Sequence, residues 1–254
     1  MLLVEDTMLR VLSTESIMKP SAVIFDTDNT LYPDYEAHNS AKKAVLRKSK
    51  QLLNIEPKEF EKSLSISRTK IKENLGDTAS SHSRLLYFQL AIENLGLGTR
   101  ILSTLDLEQT YWRTFLASTS LFPDLKDFLH LLKSEGVTTA NITNLTAQIQ
   151  FRKMVYFSLD EFFDYVVTSE EAGADKPDPK PFKIALEKIK IEPSKVWMIG
   201  DNLNSDIKGG NKFNLITMQK MHHKVESKYN ESNIPHVVFS NYKELIDYYC
   251  SLNS

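Results

Sequence analysis

Short apolar runs alternate with segments of helical periodicity along most of the chain. Apolar runs that end in polar loops are typical of strands buried in a parallel sheet. They predict strands at residues 22–25, 137–142, 165–167, 196–199, 215–218 and 236–239. Because helix-patterned segments separate these runs, we predict an α/β fold, a doubly wound Rossmann-like core with a parallel sheet between helices.

The alternation is interrupted once, after the first predicted strand. Strand-like runs are absent from residues 34–119, where polar stretches carry apolar residues at helical spacing. The clearest repeat has the spacing i, i+3, i+7 and i+10 and consists of Leu85, Phe88, Ile92 and Leu95. We therefore predict an all-helical insert at 34–119 within a discontinuous core formed by residues 20–33 and 120–254.

Residues 1–19 form an N-terminal extension in which the sequence shows no chemistry. Charged residues interrupt its apolar positions, so it lacks the apolar stretch of a signal peptide, and we expect a short helix or a partly disordered lead. No segment reaches the roughly 18–20 consecutive apolar residues of a membrane helix. We therefore expect a cytoplasmic protein with no membrane partner.

Composition and charge exclude several classes of protein. The chain of 254 residues is 41% apolar and 25% charged, which is ordinary for a globular protein. Its formal net charge of −2 provides no strong field for nucleic acid, so we expect no such partner. A single cysteine, Cys250, can form neither an internal disulfide nor a cysteine-based zinc site, which fits a reducing compartment.

Polar residues suited to metal and phosphate chemistry follow the predicted strands, where doubly wound sheets bind ligands. The set comprises Asp26, Asp28 and Thr30 after the first strand, Thr143 and Asn144 after the second, Asp201 and Asp206 after the fourth, and Lys176 in a loop. Clustered carboxylates raise one another's pKa unless a divalent cation lies among them, and oxygen ligands suit Mg²⁺. With a lysine and a hydroxyl added, the set predicts a cradle for a phosphoryl group and offers a carboxylate nucleophile.

Four segments, in chain order, resemble the motifs of the haloacid dehalogenase-like (HAD) superfamily. They are Asp26-Thr-Asp-Asn-Thr30, Ile142-Thr-Asn144, Lys176-Pro177 and Gly200-Asp-Asn-Leu-Asn-Ser-Asp206. The helical insert resembles the cap domain of the first cap class, as in nucleotide, phosphoglycolate and acylneuraminate-phosphate phosphatases. The joint occurrence carries the resemblance, because each segment alone is also typical of an ordinary turn or cap.

The resemblance implies a role for each matched residue. The implied catalytic set is Asp26 as nucleophile, Asp28 as general acid and base, and Thr143 and Lys176 as ligands of the transferring phosphoryl group. The implied Mg²⁺ ligands are Asp26, the main-chain carbonyl of Asp28, Asp201, and Asp206 either directly or through water. Thr27, between the first two aspartates, receives no role.

Substrate contacts are predicted at two further positions, Asn144 in the second motif and Arg84 in the insert. We expect the insert to close over the site and to set the choice of substrate. Arg84 suits an anionic or hydroxyl-bearing substrate. A salt bridge on the surface or within the insert is an equally good interpretation of Arg84.

These features together predict a Mg²⁺-dependent phosphatase that hydrolyses a small phosphomonoester, a nucleotide or sugar phosphate, through an aspartyl-phosphate intermediate. In the family that the chain resembles, the dehalogenases need neither the metal nor the second aspartate. The presence of Asp28, Asp201 and Asp206 therefore argues against dehalogenation. Two alternatives stay open, a phosphosugar mutase of the same fold and a non-catalytic regulatory or assembly module. The expected partner is a phosphorylated metabolite, and the expected state is a monomer or a homodimer.

Overall fold

The computed structural model describes residues 9–14, 16–222, 225 and 227–253. These residues divide into two compact units. The first, which we call the sheet unit, falls in the ranges Met1–Tyr32 and Leu121–Ser254, and the second, the helical unit, is Pro33–Ser120.

The helical unit contains four α-helices. They are α1 (Tyr35–Leu53), α2 (Pro57–Leu75), α3 (Arg84–Asn94) and α4 (Ile101–Ala117), with a 3₁₀ turn at Ala79–His82. Helix α3 begins where the Ser83 side chain accepts a hydrogen bond from the Leu86 amide, which satisfies one of the free N–H groups of the first turn. Buried aromatic residues of α3 and α4, among them Phe88 and Phe115, form the apolar interior of this unit.

The sheet unit is built on seven strands within the described residues. They are β1 (Arg10–Val11), β2 (Ala22–Phe25), β3 (Thr138–Thr143), β4 (Tyr165–Thr168), β5 (Val196–Gly200), β6 (Ile216–Lys220) and β7 (Val237–Phe239). Their order is β1-β7-β6-β5-β2-β3-β4, and every neighbouring pair is parallel except β1 with β7. The predicted α/β fold with a parallel sheet is confirmed.

Helices cover both faces of this sheet. They are α5 (Leu125–Ser134), α6 (Ala147–Tyr156), α7 (Ser169–Ala172), α8 (Pro179–Ile189), α9 (Lys208–Lys212) and α10 (Tyr242–Ser251). Successive residues of a strand point to opposite faces of the sheet. On one face, Ile24 packs in a cluster with Phe182 of α8. On the other face, the ring centroids of Phe25 and Phe128 of α5 lie 6.2 Å apart. None of the helices within the described ranges is long and apolar enough to span a bilayer.

Strand β1 corrects the expectation for the N-terminal extension. Arg10 and Val11 pair in antiparallel register with β7 at the edge of the sheet. Both side chains are exposed, so main-chain hydrogen bonds hold this strand. The described part of the extension therefore contains a strand where we expected a helix or a disordered lead. The first eight residues and residue 15 lie outside the described residues.

Candidate active site

A buried ion cluster joins three of the four sequence motifs through their side chains and the remaining one through a main-chain carbonyl. The Nζ atom of Lys176 donates to Asp26 Oδ1 at 2.6 Å and to Asp206 Oδ1 at 2.7 Å. A third hydrogen bond from Nζ goes to the Ile142 carbonyl at 2.9 Å. The side chains of Lys176 and Asp206 are each 1% exposed and that of Asp26 is 13% exposed. The lysine therefore holds the two carboxylates in fixed positions.

The charges of this cluster shift the pKa of its members. Burial raises the pKa of the Asp26 carboxyl to about 7, although the Lys176 ammonium opposes this shift. Burial alone lowers the pKa of Lys176, but the carboxylates of Asp206 and Asp26 outweigh it and hold that pKa above its ordinary value. When Asp26 is ionised, one ammonium faces two carboxylates, and a bound cation would stabilise the resulting negative charge.

The carboxylate of Asp201 lies beside this cluster. One oxygen from each of Asp26, Asp201 and Asp206 lies within 4.8 Å of the other two. Asp201 directly follows β5, and its main-chain carbonyl accepts a hydrogen bond from Gln219 Nε2 at 3.2 Å. Oxygen donors in this arrangement fit Mg²⁺, which takes one or two carboxylates and keeps several waters. The donor set therefore suits a divalent cation.

Asp206 reaches the cluster because residue 200 is a glycine. A Cβ atom at position 200 would lie 2.4 Å from the Cβ of Asp206, so any larger residue would displace that side chain. Asp206 Oδ1 also accepts from the Ser205 hydroxyl at 3.1 Å, and Oδ2 accepts from the Asn202 amide at 3.1 Å. Because both oxygens have protein donors, Asp206 suits the positioning of Lys176 better than direct metal ligation.

Asp28 has a cationic partner of its own, Lys153, which the sequence reasoning missed. Lys153 Nζ donates to Asp28 Oδ1 at 2.8 Å, and the Tyr32 hydroxyl donates to the same oxygen. The Lys153 side chain is 2% exposed, whereas that of Asp28 is 37% exposed. The Tyr32 ring stacks on Phe157 at 4.9 Å, which fixes its hydroxyl. Asp28 is thus held firmly and yet remains accessible.

A sequence signal for Lys153 does exist. It lies four residues after Ile149 on the buried side of α6, where an amphipathic helix normally carries an apolar residue. A lysine at such a position needs a buried anionic partner, because an unpaired buried charge is costly. Periodicity could therefore have singled out Lys153 as an ion-pair residue, although not its partner.

Thr27, which received no role above, lies in a buried polar network. Its hydroxyl lies 3.1 Å from Asn141 Oδ1 and accepts from Gln150 Nε2 at 2.8 Å. Asn141 Nδ2 in turn donates to the Phe25 carbonyl at 2.9 Å. These bonds tie the loop after β2 to β3 and α6. The network therefore fixes the backbone between Asp26 and Asp28.

Thr143 and Asn144, the second motif, stand next to Lys176. Thr143 ends β3 with a buried side chain. Asn144 Oδ1 accepts from the Lys176 amide at 2.8 Å, and Asn144 Nδ2 donates to the Lys176 carbonyl at 3.2 Å. These two bonds give Asn144 a positioning role toward Lys176. Contact of Asn144 with substrate stays a prediction.

Arg84, the remaining predicted residue, begins α3 of the helical unit. Its Nη1 donates to the His82 carbonyl at 2.8 Å. The centre of its guanidinium group lies 5.2 Å from the ring of Tyr111, and 5.6 Å from the rings of Tyr87 and Trp112. Cation–π contacts with three rings fix this group in place. Its contact with substrate likewise stays a prediction.

The chain is similar to a known family of hydrolases and to named phosphatases. A family model for haloacid dehalogenase-like hydrolases matches residues 23–243. The chain is 37% identical over 199 residues to the ribulose-1,5-bisphosphate 5-phosphatase of Halopiger xanaduensis, a match that covers 78% of this chain and 83% of that protein. It is 27% identical over 228 residues to the glyceraldehyde 3-phosphate phosphatase of Methanopyrus kandleri, which covers 89% of this chain and 95% of that protein.

The fold also has a counterpart among solved structures. A crystal structure of the HAD-hydrolase YfnB from Bacillus subtilis, bound to magnesium, matches with a TM-score of 0.65 and 21% identity. The match covers 91% of this chain and 99% of that chain. At this identity the likeness shows a shared fold.

Proposed function

The chain belongs to the haloacid dehalogenase-like hydrolases and is a phosphatase of that family, and on this premise we propose that it hydrolyses a small sugar phosphate through an aspartyl phosphate on Asp26, with Mg²⁺ as cofactor. The observation that carries this proposal is the buried cluster in which Lys176 meets Asp26 and Asp206. The two relatives named above are phosphatases of a ribulose bisphosphate and of glyceraldehyde 3-phosphate, which favours a sugar phosphate over a nucleotide.

In the first proposed step, an oxygen of Asp26 attacks phosphorus and the bond from phosphorus to the ester oxygen breaks. Asp28 donates its proton to the departing oxygen, so the alcohol leaves uncharged. The Lys176 ammonium and the Thr143 hydroxyl donate to the phosphoryl oxygens, on which negative charge is spread. The step yields an alcohol and an aspartyl phosphate.

In the second proposed step, a water molecule attacks the phosphorus of the aspartyl phosphate. Asp28, now a carboxylate, takes the proton from that water. The bond between phosphorus and the Asp26 oxygen breaks, which releases phosphate and restores the carboxylate. Lys153 and Tyr32 hold Asp28 in place through both steps, since both donate to its Oδ1.

The residues that would hold Mg²⁺ are Asp26, Asp201 and the main-chain carbonyl of Asp28, with Asp206 in support. When bound, the cation supplies positive charge that favours the ionised form of Asp26 and offsets the charge of the phosphoryl group. The spacing of the carboxylate oxygens supports this assignment.

The two alternatives to a phosphatase fare differently. The non-catalytic module loses its support, because the chain is a phosphoric monoester hydrolase of this family. A phosphosugar mutase would share the first step and differ only in the acceptor of the second, a substrate hydroxyl instead of water. The two reactions therefore give different products from the same site.

The proposal is tested by phosphate release from a panel of sugar phosphates, nucleotides and 4-nitrophenyl phosphate, with Mg²⁺ and with EDTA. We expect Mg²⁺-dependent release of phosphate, with sugar phosphates hydrolysed faster than nucleotides. An isomeric sugar phosphate without free phosphate would identify a mutase instead. Failure to release phosphate from any ester in the presence of Mg²⁺ would contradict the proposal.

A further inference from the structure

A pocket of about 490 Å³ lies within the helical unit, lined by residues of all four of its helices. Its size falls in the range of small-molecule pockets. Six of its lining residues have a carboxylate or a basic side chain, namely Asp34, His38, Lys42, Glu61, Arg68 and Arg84. Apart from His38, three positive charges face two negative charges. The pocket therefore carries an excess of positive charge, unlike the ion cluster of the sheet unit.

Both carboxylates of this lining have basic partners on α1. Glu61 Oε1 accepts from Lys42 Nζ at 2.6 Å. Asp34 Oδ2 lies 3.5 Å from His38 Nε2. Since Lys42 and Glu61 cancel each other, the excess positive charge of the lining comes from the arginines.

One tyrosine of the lining, Tyr87, lies near both arginines. The guanidinium group of Arg84 lies over the Tyr87 ring at 5.6 Å, and the positive charge of Arg68 also acts on the Tyr87 hydroxyl. Burial raises the pKa of the Tyr87 phenol, so this hydroxyl stays protonated, and it donates to the Ser81 carbonyl. Two positive groups, from α2 and α3, thus lie near one tyrosine in the same pocket.

The geometry of Arg84 suits anion recognition. A guanidinium group that lies over an aromatic ring interacts through its face, and the Arg84 group is also oriented by the hydrogen bond from Nη1 to the His82 carbonyl. Two arginines that line one pocket match the paired oxygens of a phosphate or carboxylate group better than lysines do, because each presents a planar fork. An anion bound in the pocket would also offset the two positive charges.

We propose that this pocket binds a phosphate or carboxylate group, with Arg68 and Arg84 as its ligands. The group belongs either to a doubly anionic substrate, such as a sugar bisphosphate, or to a separate metabolite that regulates the enzyme. The first source rests on the proposed function, since it requires a phosphorylated substrate. The anion site itself does not, and it can be measured without any reaction.

The site is tested first by calorimetric titration of inorganic phosphate in EDTA, where the carboxylate cluster repels anions. We expect saturable binding to the wild-type chain and a rise of about 10- to 100-fold in Kd in Arg68→Gln and in Arg84→Gln, the loss expected for a hydrogen bond to a charged group. The control is Arg113→Gln, an exposed arginine of α4 outside the pocket, which should bind as the wild type does. Absence of binding to the wild type, or equal binding by all variants, would overturn the anion site.

The source of the anion is tested by kcat/KM for a sugar bisphosphate relative to the corresponding monophosphate, with Mg²⁺. If the substrate supplies the anion, this ratio should fall about 10- to 100-fold in Arg68→Gln. If a separate metabolite supplies the anion, the ratio stays constant in Arg68→Gln. Methylphosphonate, added in place of that metabolite, then alters hydrolysis of 4-nitrophenyl phosphate in the wild type but not in Arg68→Gln. An inactive wild type would refute the proposed function and leave the calorimetric result standing.

Because Arg84 packs against three rings, Arg84→Gln removes packing contacts of α3 as well as a ligand. Arg84→Lys keeps the charge and the ring contacts but loses the planar fork, so we expect a well-folded variant with weakened phosphate binding. Unaltered binding by Arg84→Lys together with unaltered binding by Arg68→Gln would contradict the ligand roles. Thermal unfolding of each variant shows whether the helical unit is intact.

Discussion

The ion cluster of the sheet unit and the pocket of the helical unit organise charge in opposite ways. In the cluster, Lys176 is buried between Asp26 and Asp206, so each charge has its partner at hydrogen-bond distance. In the pocket, Arg68 is exposed and Arg84 half-buried, and aromatic rings hold the latter in place. A buried ion triad tolerates little change, whereas an exposed and solvated cation such as Arg68 can be replaced at low cost. The difference suits the cluster to the reaction and the pocket to the selection of ligands.

The largest expected effect is that of Asp26→Asn on turnover. Loss of the nucleophile should lower kcat on the order of 10⁴-fold or more, since removal of a nucleophile has effects of this size. Phosphate release measures it. Asp247→Asn, the same change at an exposed residue of α10, is the control and should be as active as the wild type. Comparable turnover by Asp26→Asn and its control would mean that the reaction takes place elsewhere.

Lys176→Gln should have the largest effect on stability. It leaves the carboxylates of Asp26 and Asp206 without their cation. Breaking a buried ion pair in this way lowers the free energy of unfolding by about 3–5 kcal/mol. Arg68→Gln in the pocket is the matched comparison, and it should change the free energy of unfolding by no more than about 0.5 kcal/mol, as exposed substitutions do. Denaturant unfolding in EDTA measures both. Equal effects of the two substitutions would remove the distinction drawn between the two sites.

Lys153→Met should affect catalysis in a way that depends on the leaving group. Since Lys153 positions Asp28, hydrolysis of a sugar phosphate should slow by about 10²-fold, the lower range for a displaced general acid. Hydrolysis of 4-nitrophenyl phosphate should slow much less, because its leaving group departs as an anion. The control is Lys243→Met, an exposed lysine of α10. Equal slowing for both esters would indicate that Lys153 serves the fold alone.

A smaller effect is expected in the pH dependence of stability without Mg²⁺. Burial raises the pKa of Asp26 to about 7 in the folded chain, whereas an unfolded aspartate titrates near about 3.9. Between these values the folded state binds a proton that the unfolded state lacks, so the free energy of unfolding falls as pH rises. Asp26→Asn lacks this contribution, so its stability relative to the wild type should increase from about pH 4 to about pH 7. A constant difference in urea unfolding across this range would be evidence against the raised pKa.

The two sites also differ in how far the sequence predicts them. Polar residues at the ends of apolar runs revealed Asp26, Thr143 and Asp201, because strand ends of a parallel sheet meet at one edge. The pocket arginines come from separate helices, and nothing in linear spacing relates Arg68 to Arg84. Only the tertiary packing of α2 and α3 places both in the lining of one pocket.

Two other features escaped the sequence for different reasons. Lys153 was overlooked because a lysine in a helix is usually solvated, and its partner lies 125 positions away along the chain. Strand β1 consists of two exposed residues, so it shows no alternation of apolar and polar positions. Main-chain pairing at a sheet edge leaves no mark in the side-chain pattern.

The central claim is that the phosphoryl group passes through Asp26 in two displacements. The most direct test is the stereochemical course at phosphorus, measured with a thiophosphate ester made chiral by oxygen isotopes. Each in-line displacement inverts phosphorus, so the account predicts overall retention of configuration. Inversion would show that water attacks the substrate directly, and it would contradict the assignment of Asp26 as nucleophile.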